Sequence, residues 1–504
     1  MFARFAFKKP SLGSKVNRSF TSSAVVSGSS VPTSFTPDKF NLDYSHDNIV
    51  RYENTPKYGY PKQLLDAPAT IVSTLSNGFK VATEQTPSKV ATVGLFVASG
   101  SRYENDSNNG VAHFLEHMLF KGSKKRSTLD VEIDYENTGS HLNAYTSREH
   151  TVFKANVLQD KLEFAVESIS DLVTNTDFTE EKVRSEVNTI LMEKNDVESN
   201  VDEVVTDYLH KTAYQTSPLA YTILGSEENI KSMTVDKLQD YVDRNYGGKR
   251  MTLVAAGNVD HNAVVQLAEK YFGGLQSGSE YNVNMTPKAF VGGDVRINNP
   301  DFPLTHIALG VEGCSWTSPD AIPVMLLQQL LGAWDATCGT ANNSHSQLAQ
   351  VVSRRGIDVK QYSSFNLNYR DTGLLGIKAA VNPDHGHIDE WCYAALNEMT
   401  RLCFKVRDED VERAKNVLKT QLLMQQDGST NSVAEEIGRQ MVFYGRRLSA
   451  AEAFARVDAV TTKSLREVAM KYIYDREVVM AAYGKTTEIP DYNHLRSWTY
   501  WLRY

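Results

Sequence analysis

After a stretch rich in Ser, Gly and Pro that ends near Pro61, apolar and polar positions fall into short runs of alternating type. Thr70 to Leu75 and Val81 to Glu84 read as strands joined through an Asn77-Gly78 turn, and the apolar run Thr92 to Ala98 reads as a third. A helical period follows, with Val111, Phe114, Leu115, Met118 and Leu119 as its apolar stripe. Segments around Ser140 to Ser147 and Thr151 to Val157 form a predicted hairpin. Helices are expected from about Asp160 to Thr174 and Thr179 to Glu198, then a helix at Val235 to Arg244 and a strand at Met251 to Gly257.

The same order recurs downstream. THIALGVEG from Thr305 echoes ATVGLFVASG from Ala91, EDVERAKN from Glu409 echoes EEKVRSEV from Glu180, and REVVMAAYG from Arg476 echoes KRMTLVAAGNV from Lys249. The pattern predicts an internal duplication. Residues 276–300, rich in Gly, Ser and Asn, are read as the linker between domains 62–275 and 301–504. The expected fold class is α+β: two homologous domains, each a mostly antiparallel β-sheet with helices packed on one face.

Composition adds limits. No run approaches the roughly 18 apolar residues of a membrane-spanning helix, so a soluble or peripheral protein is expected. Cys314, Cys338, Cys392 and Cys403 show no metal-binding or disulfide spacing and are read as reduced thiols. Residues 1–20 carry Arg4, Lys8, Lys9, Lys15 and Arg18 and no acid, the composition of a mitochondrial presequence, with maturation expected near Phe20 and an N-terminal extension at 21–61. Losing those five cations would take the net charge from −8 to −13. An acidic chain repels nucleic acid, so no nucleic-acid partner is expected; it attracts cationic ligands such as basic peptides.

The candidate chemistry is the segment His113-Phe114-Leu115-Glu116-His117. On a helix the i, i+4 spacing stacks both imidazoles on one face, within reach of one metal ion. Zn²⁺ with three protein ligands keeps an open position whose water falls to a pKa of about 7, and Glu116 could take its proton. The alternative is a buried amphipathic helix whose histidines only hydrogen-bond. Glu186 and Glu193 lie two turns apart on one helix face, and Glu203 and Asp207 form an i, i+4 acid pair that could equally be solvated surface. In the second half, Ala321 to Leu331 has no His pair and Gln421 stands opposite Glu193, so that half is read as fold without chemistry.

With HFLEHMLFKG from His113, GSHLNAYTSRE from Gly139, GRQMVFYGRR from Gly438 and the ending PDYNHLRSWTYWLRY, the chain resembles the inverted-motif zinc peptidases, in their mitochondrial presequence-processing branch. The resemblance implies one Zn²⁺ per chain on His113, His117 and Glu193, Glu116 as general base, and Glu186 orienting a ligand histidine. It implies a pocket wall at Phe120 for the residue after the scissile bond. Asn143 and Ala144 would lie on an edge strand that pairs with extended substrate, and Glu203 and Asp207 would receive a substrate arginine. It further implies a heterodimer with an α subunit, presequence peptides as substrates and a matrix location, in solution or peripheral on the inner membrane. The family's basic residue in PLAYTILG is replaced by Tyr221, and its ERxR-like run reads Val183-Arg184-Ser185-Glu186. Two other functions stay open: a core subunit of respiratory complex III, alone or combined with peptidase activity, and a peptide-degrading zinc peptidase.

Overall fold

The structure, a computed structural model, describes residue 64 and residues 67–278, 290–339, 341–427 and 429–500. The expected presequence and N-terminal extension, 1–61, lie outside them. The first half runs β1 (Ile71–Thr74), β2 (Lys80–Gln85), β3 (Val90–Val97), α1 (Val111–Phe120), α2 (Thr128–Thr138), β4 (His141–Thr146), β5 (Thr151–Leu158), α3 (Leu162–Thr174), α4 (Glu180–Ser199), α5 (Val201–Ala213), α6 (Glu227–Lys231), α7 (Val235–Asn245), β6 (Met251–Gly257) and α8 (His261–Phe272). The second runs β7 (Gly293–Asn298), β8 (Thr305–Glu312), α9 (Ala321–Leu331), β9 (Ala333–Asp335), α10 (Gln347–Arg355), β10 (Val359–Asn368), β11 (Gly373–Val381), α11 (His387–Phe404), α12 (Asp408–Asp427), α13 (Thr430–Phe443), α14 (Ala450–Ala459), α15 (Thr462–Tyr472), β12 (Val478–Gly484) and α16 (Tyr492–Ser497). No described helix is long and apolar enough to cross a membrane.

Each half builds a six-stranded sheet, ordered β1-β2-β6-β3-β5-β4 and β7-β12-β8-β11-β10-β9. Five strands repeat in the same order, including one parallel pair in each sheet, β2 with β6 and β7 with β12. The α+β class and the duplication are thus both present. The stretch read as linker, 276–300, contains β7, because Val295 and Ile297 extend the second sheet beside β12 despite the Gly- and Asn-rich neighbourhood. The sheets differ at their far edges. β9 covers β10, whereas among the described residues the equivalent β4 pairs only with β5 and leaves its other edge open.

Residues of alternate parity on a strand face opposite sides. Val93, Leu95 and Val97 of β3 join Leu253 and Ala255 of β6 in a core closed by α1, α3, α7 and α8. The second half repeats this core, with Trp391 and Ile388 of α11 fully buried against its sheet. The opposite faces are also covered, each by a helix from the other half. Val433, Ala434, Ile437 and Met441 of α13 cover Phe96, Val152 and Val254 of the first sheet. Val205, Leu209 and Ala213 of α5 cover Ala308, Leu374, Val479 and Ala481 of the second. Each of the Val, Leu, Ile, Met and Phe side chains among them contributes about 1.5–3 kcal/mol on burial, so the exchanged helices lock the halves together.

Candidate metal centre

Helix α1 enters from Gly110, whose φ of +99° and close approach to Leu224 O, 2.6 Å from where a Cβ would stand, both require glycine. Its first amides are taken by Glu104, whose carboxylate accepts from Gly110 N, Ala112 N and Asn109 Nδ2, each at 2.8 Å. An acid at the positive end of a helix dipole fixes where the helix begins. Burial pushes the Glu104 carboxyl up to about 8 against those hydrogen bonds. Phe114, Leu115, Met118 and Leu119 point into the core, which turns His113 and His117 toward α4.

Helix α4, capped by Thr179 Oγ1 on Lys182 N, brings the third group. Glu193 Oε2 lies 3.0 Å from His117 Nε2, and Glu193 Oε1 lies 3.5 Å from His113 Nε2. All three ligand atoms fall within 4.8 Å of one another. Ligands of a tetrahedral Zn²⁺ stand about 3.3 Å apart, so the donor set and its spacing fit that ion. Hydrogen bonding from His113, with His117 assisting, holds the Glu193 carboxyl below its usual value and therefore ionised, as a ligand must be. Among the described residues this is the group of three or more His, Cys, Asp or Glu side chains placed to share an ion.

Glu186 is 2% exposed, so its side chain does not face solvent. Its Oε2 lies 3.4 Å from His117 Nδ1, and its Oε1 takes Lys121 Nζ at 2.6 Å. Glu116 stands one turn from His113 and accepts from Thr146 Oγ1 at 2.7 Å through Oε2. Thr146 ends β4, the open edge strand, where Asn143 is exposed and Ala144 half-buried. Phe120 is half-buried at the end of α1.

The acid pair is split. Glu203 is exposed and accepts from Asn200 Nδ2, while Asp207 pairs at 2.6 Å with Arg148 Nη2 of the β4–β5 turn. Tyr221 donates to Asp106 at 2.5 Å beside a cleft that Asp207 and Tyr208 also line. Sequence reasoning missed Lys121, although it lies on the His113–His117 stripe at the next i+4 step. It also missed Thr146, which period two places on the face of Ala144. Glu104 gave no signal, because its capping role crosses a loop. In the second half, α9 packs on α12 as α1 does on α4, but Gln329 Nε2 donates to Gln421 Oε1 at 2.9 Å where the first half has its histidines and glutamate. Cys314, Cys392 and Cys403 are buried, Cys338 is exposed, and all are free thiols.

Fold and site together define a class: a metallopeptidase of two repeated halves, one bearing a His-His-Glu trio placed to share a metal ion and one with glutamines in its place. Residues 80–227 match the insulinase family, peptidase family M16, and 232–418 match the model described as the M16 inactive domain. The chain belongs to this family. It is 42% identical to a protein from Arabidopsis thaliana described as probable mitochondrial-processing peptidase subunit beta, over 96% of this chain and 95% of that one. It is 45% identical to the mitochondrial-processing peptidase subunit beta of Blastocladiella emersonii, over 91% and 97%. A chain of complex III2 from Candida albicans, solved with Inz-5 bound, superimposes with a TM-score of 0.76 at 25% identity, covering 86% of this chain and all of that one.

Proposed function

We propose that this chain is the catalytic β subunit of a mitochondrial processing peptidase, an endopeptidase that removes presequences from imported precursors near an upstream arginine. The observation that carries the reading is the His113–His117–Glu193 trio, with Glu116 beside it and an open strand edge at β4. His113 Nε2, His117 Nε2 and Glu193 would hold one Zn²⁺, and Glu186 orients the His117 ring through Nδ1. A zinc ion held by these residues would supply Lewis acidity for the scissile carbonyl and for a nearby water. Glu116 takes that water's proton on Oε1, its Oε2 being held by Thr146, and passes it to the leaving amine.

Substrate in extended form adds to the edge of β4 at Asn143 and Ala144, so backbone hydrogen bonds supply affinity without fixing sequence. Phe120 walls the pocket for the residue after the cut. Exposed Glu203 meets the substrate arginine first, and Asp207 joins it by exchanging Arg148 for the incoming guanidinium. An α subunit completes the enzyme, the matrix is its location, and the catalytic half, ending near 275, is separate from the silent half, which begins with β7. A core role in complex III shares the fold but makes no demand on an intact metal trio, so the trio favours the peptidase.

The test is cleavage of an arginine-containing presequence peptide by the purified chain, with and without an α-type partner. Cleavage by the pair, lost on Glu116→Gln with zinc retained, is expected. A zinc-loaded pair that leaves every such peptide intact overturns the proposal.

A further inference from the structure

The general base depends on Thr146, and Thr146 sits beside a turn, Ser147–His150, that the second half grips. Glu149, in that turn, is 2% exposed and pairs with Arg102 Nη1 at 2.5 Å. Arg102, 5% exposed, reaches on through Nη2 to Asp371 Oδ2 at 2.6 Å. Asp371 belongs to the β10–β11 turn of the silent half. Beside it, Arg370 N donates to both Glu149 oxygens at 3.2 and 3.1 Å. The same turn is held to α5 by Tyr369 Oη on His210 Nε2 at 2.6 Å, and Tyr214 Oη donates to Gly373 O at 2.9 Å. On the other side of the grip, Arg102 N donates to Arg148 O at 2.8 Å, and Glu104, two residues on from Arg102, caps the helix that carries Glu116.

We infer that Asp371 and Arg102 are positioning residues for peptide hydrolysis. Through them the silent half's β10–β11 turn fixes the Ser147–His150 turn, and with it the Thr146 hydroxyl against Glu116. Two observations separate this from a generic interface contact. Arg102 and Glu149 are buried and Asp371 is 15% exposed, so losing Asp371 leaves the buried Arg102 one carboxylate short and loosens its hold on the turn. The ionic chain also ends on Glu149, three residues along the backbone from Thr146, whose hydroxyl donates to the base. A silent half that only stabilised the fold would need the covering helix α13, not a salt bridge into the catalytic turn.

The test rests on the peptidase reading and uses the full-length chain with its α-type partner. Asp371→Asn is expected to lower kcat on a presequence peptide about tenfold with KM and zinc content unchanged, the size usual for loss of a supporting contact. Asp371→Glu should recover most of it. Thr146→Val should lower kcat by a similar factor, and the double variant should be no worse than the poorer single one, since both act through the same contact. Hydrogen exchange on the metal-free chain gives a readout without turnover: Asp371→Asn should expose the amides of 147–150 while leaving those of α9 and α11 protected. Unchanged exchange at 147–150, or kcat losses that multiply in the double variant, overturns the inference. An inactive wild-type pair whose turn still opens in Asp371→Asn counts against the peptidase reading alone.

Discussion

At the scale of single residues, carboxyl groups of the same type take different tasks from their surroundings. Glu193 is kept ionised by two imidazoles, Glu186 is buried between His117 and Lys121, and Glu116 accepts from Thr146 through one oxygen. Removing each should therefore fail differently. Glu116→Gln should lower kcat by about 10²–10⁴ with zinc retained, while Glu193→Gln should lose zinc itself, both read by metal analysis alongside turnover. Glu186→Gln should weaken zinc about 10–100-fold, measured by competition with a chelator. Burial, with Arg439 nearby, holds the His150 ring down at about 4. The unfolded chain therefore takes up a proton near pH 6.5 that the fold refuses until about 4, so stability falls as pH drops through that window. His150→Gln should remove up to about 1.4 kcal/mol per pH unit of that slope, measured by urea unfolding from pH 7 to 4. His113, Glu116 and His117 were legible because a helix converts spacing into position. Arg148 opposite Asp207 was not, since an ion pair between a turn and a distant helix leaves no period in the sequence.

Elements carry the second level of specificity. Helix α13 lies so flat on the first sheet that a Cβ at Gly438 would stand 2.2 Å from the Phe96 ring, which is 1% exposed and cannot yield. Gly to Ala inside a helix ordinarily stabilises by up to about 1 kcal/mol. Gly438→Ala should instead destabilise by about 1–3 kcal/mol, visible as a lower urea midpoint at unchanged m-value. The apolar run of β3 carried this information in part. A strand with apolar residues at consecutive positions is buried on both faces, and Leu95, Phe96 and Val97 in succession break the in-out alternation of a one-sided sheet. What covers the second face could not be read, because the partner helix lies more than 300 residues away and its own stripe matches any apolar surface. The edge strands show the same limit. The echoing segments matched β8 to β3 and β12 to β6 but said nothing of the far edges, where among the described residues only the three-residue β9 makes one edge covered and the other open.

For the whole molecule, duplication has been turned into interdependence. With α5 covering the second sheet and α13 the first, neither half presents a finished surface alone. Residues 64–278 expressed by themselves should be insoluble or aggregated, with Phe96, Val152 and Val254 bare, and co-expression with 290–500 should restore a soluble complex on gel filtration. The repeated order of strands and helices was visible in the echoing segments, and so was the loss of chemistry in the second half, where Gln329 meets Gln421. The crossing of helices between halves was not, because hydrophobic pattern states that a face is buried and never against what. The central claim, that His113, His117 and Glu193 together hold one zinc ion, is tested most directly by anomalous diffraction from crystals of the zinc-loaded chain on both sides of the zinc edge. A single peak about 2.0–2.2 Å from both Nε2 atoms and a Glu193 oxygen is the expected result; no peak there, or zinc bound elsewhere with the trio bare, would contradict it.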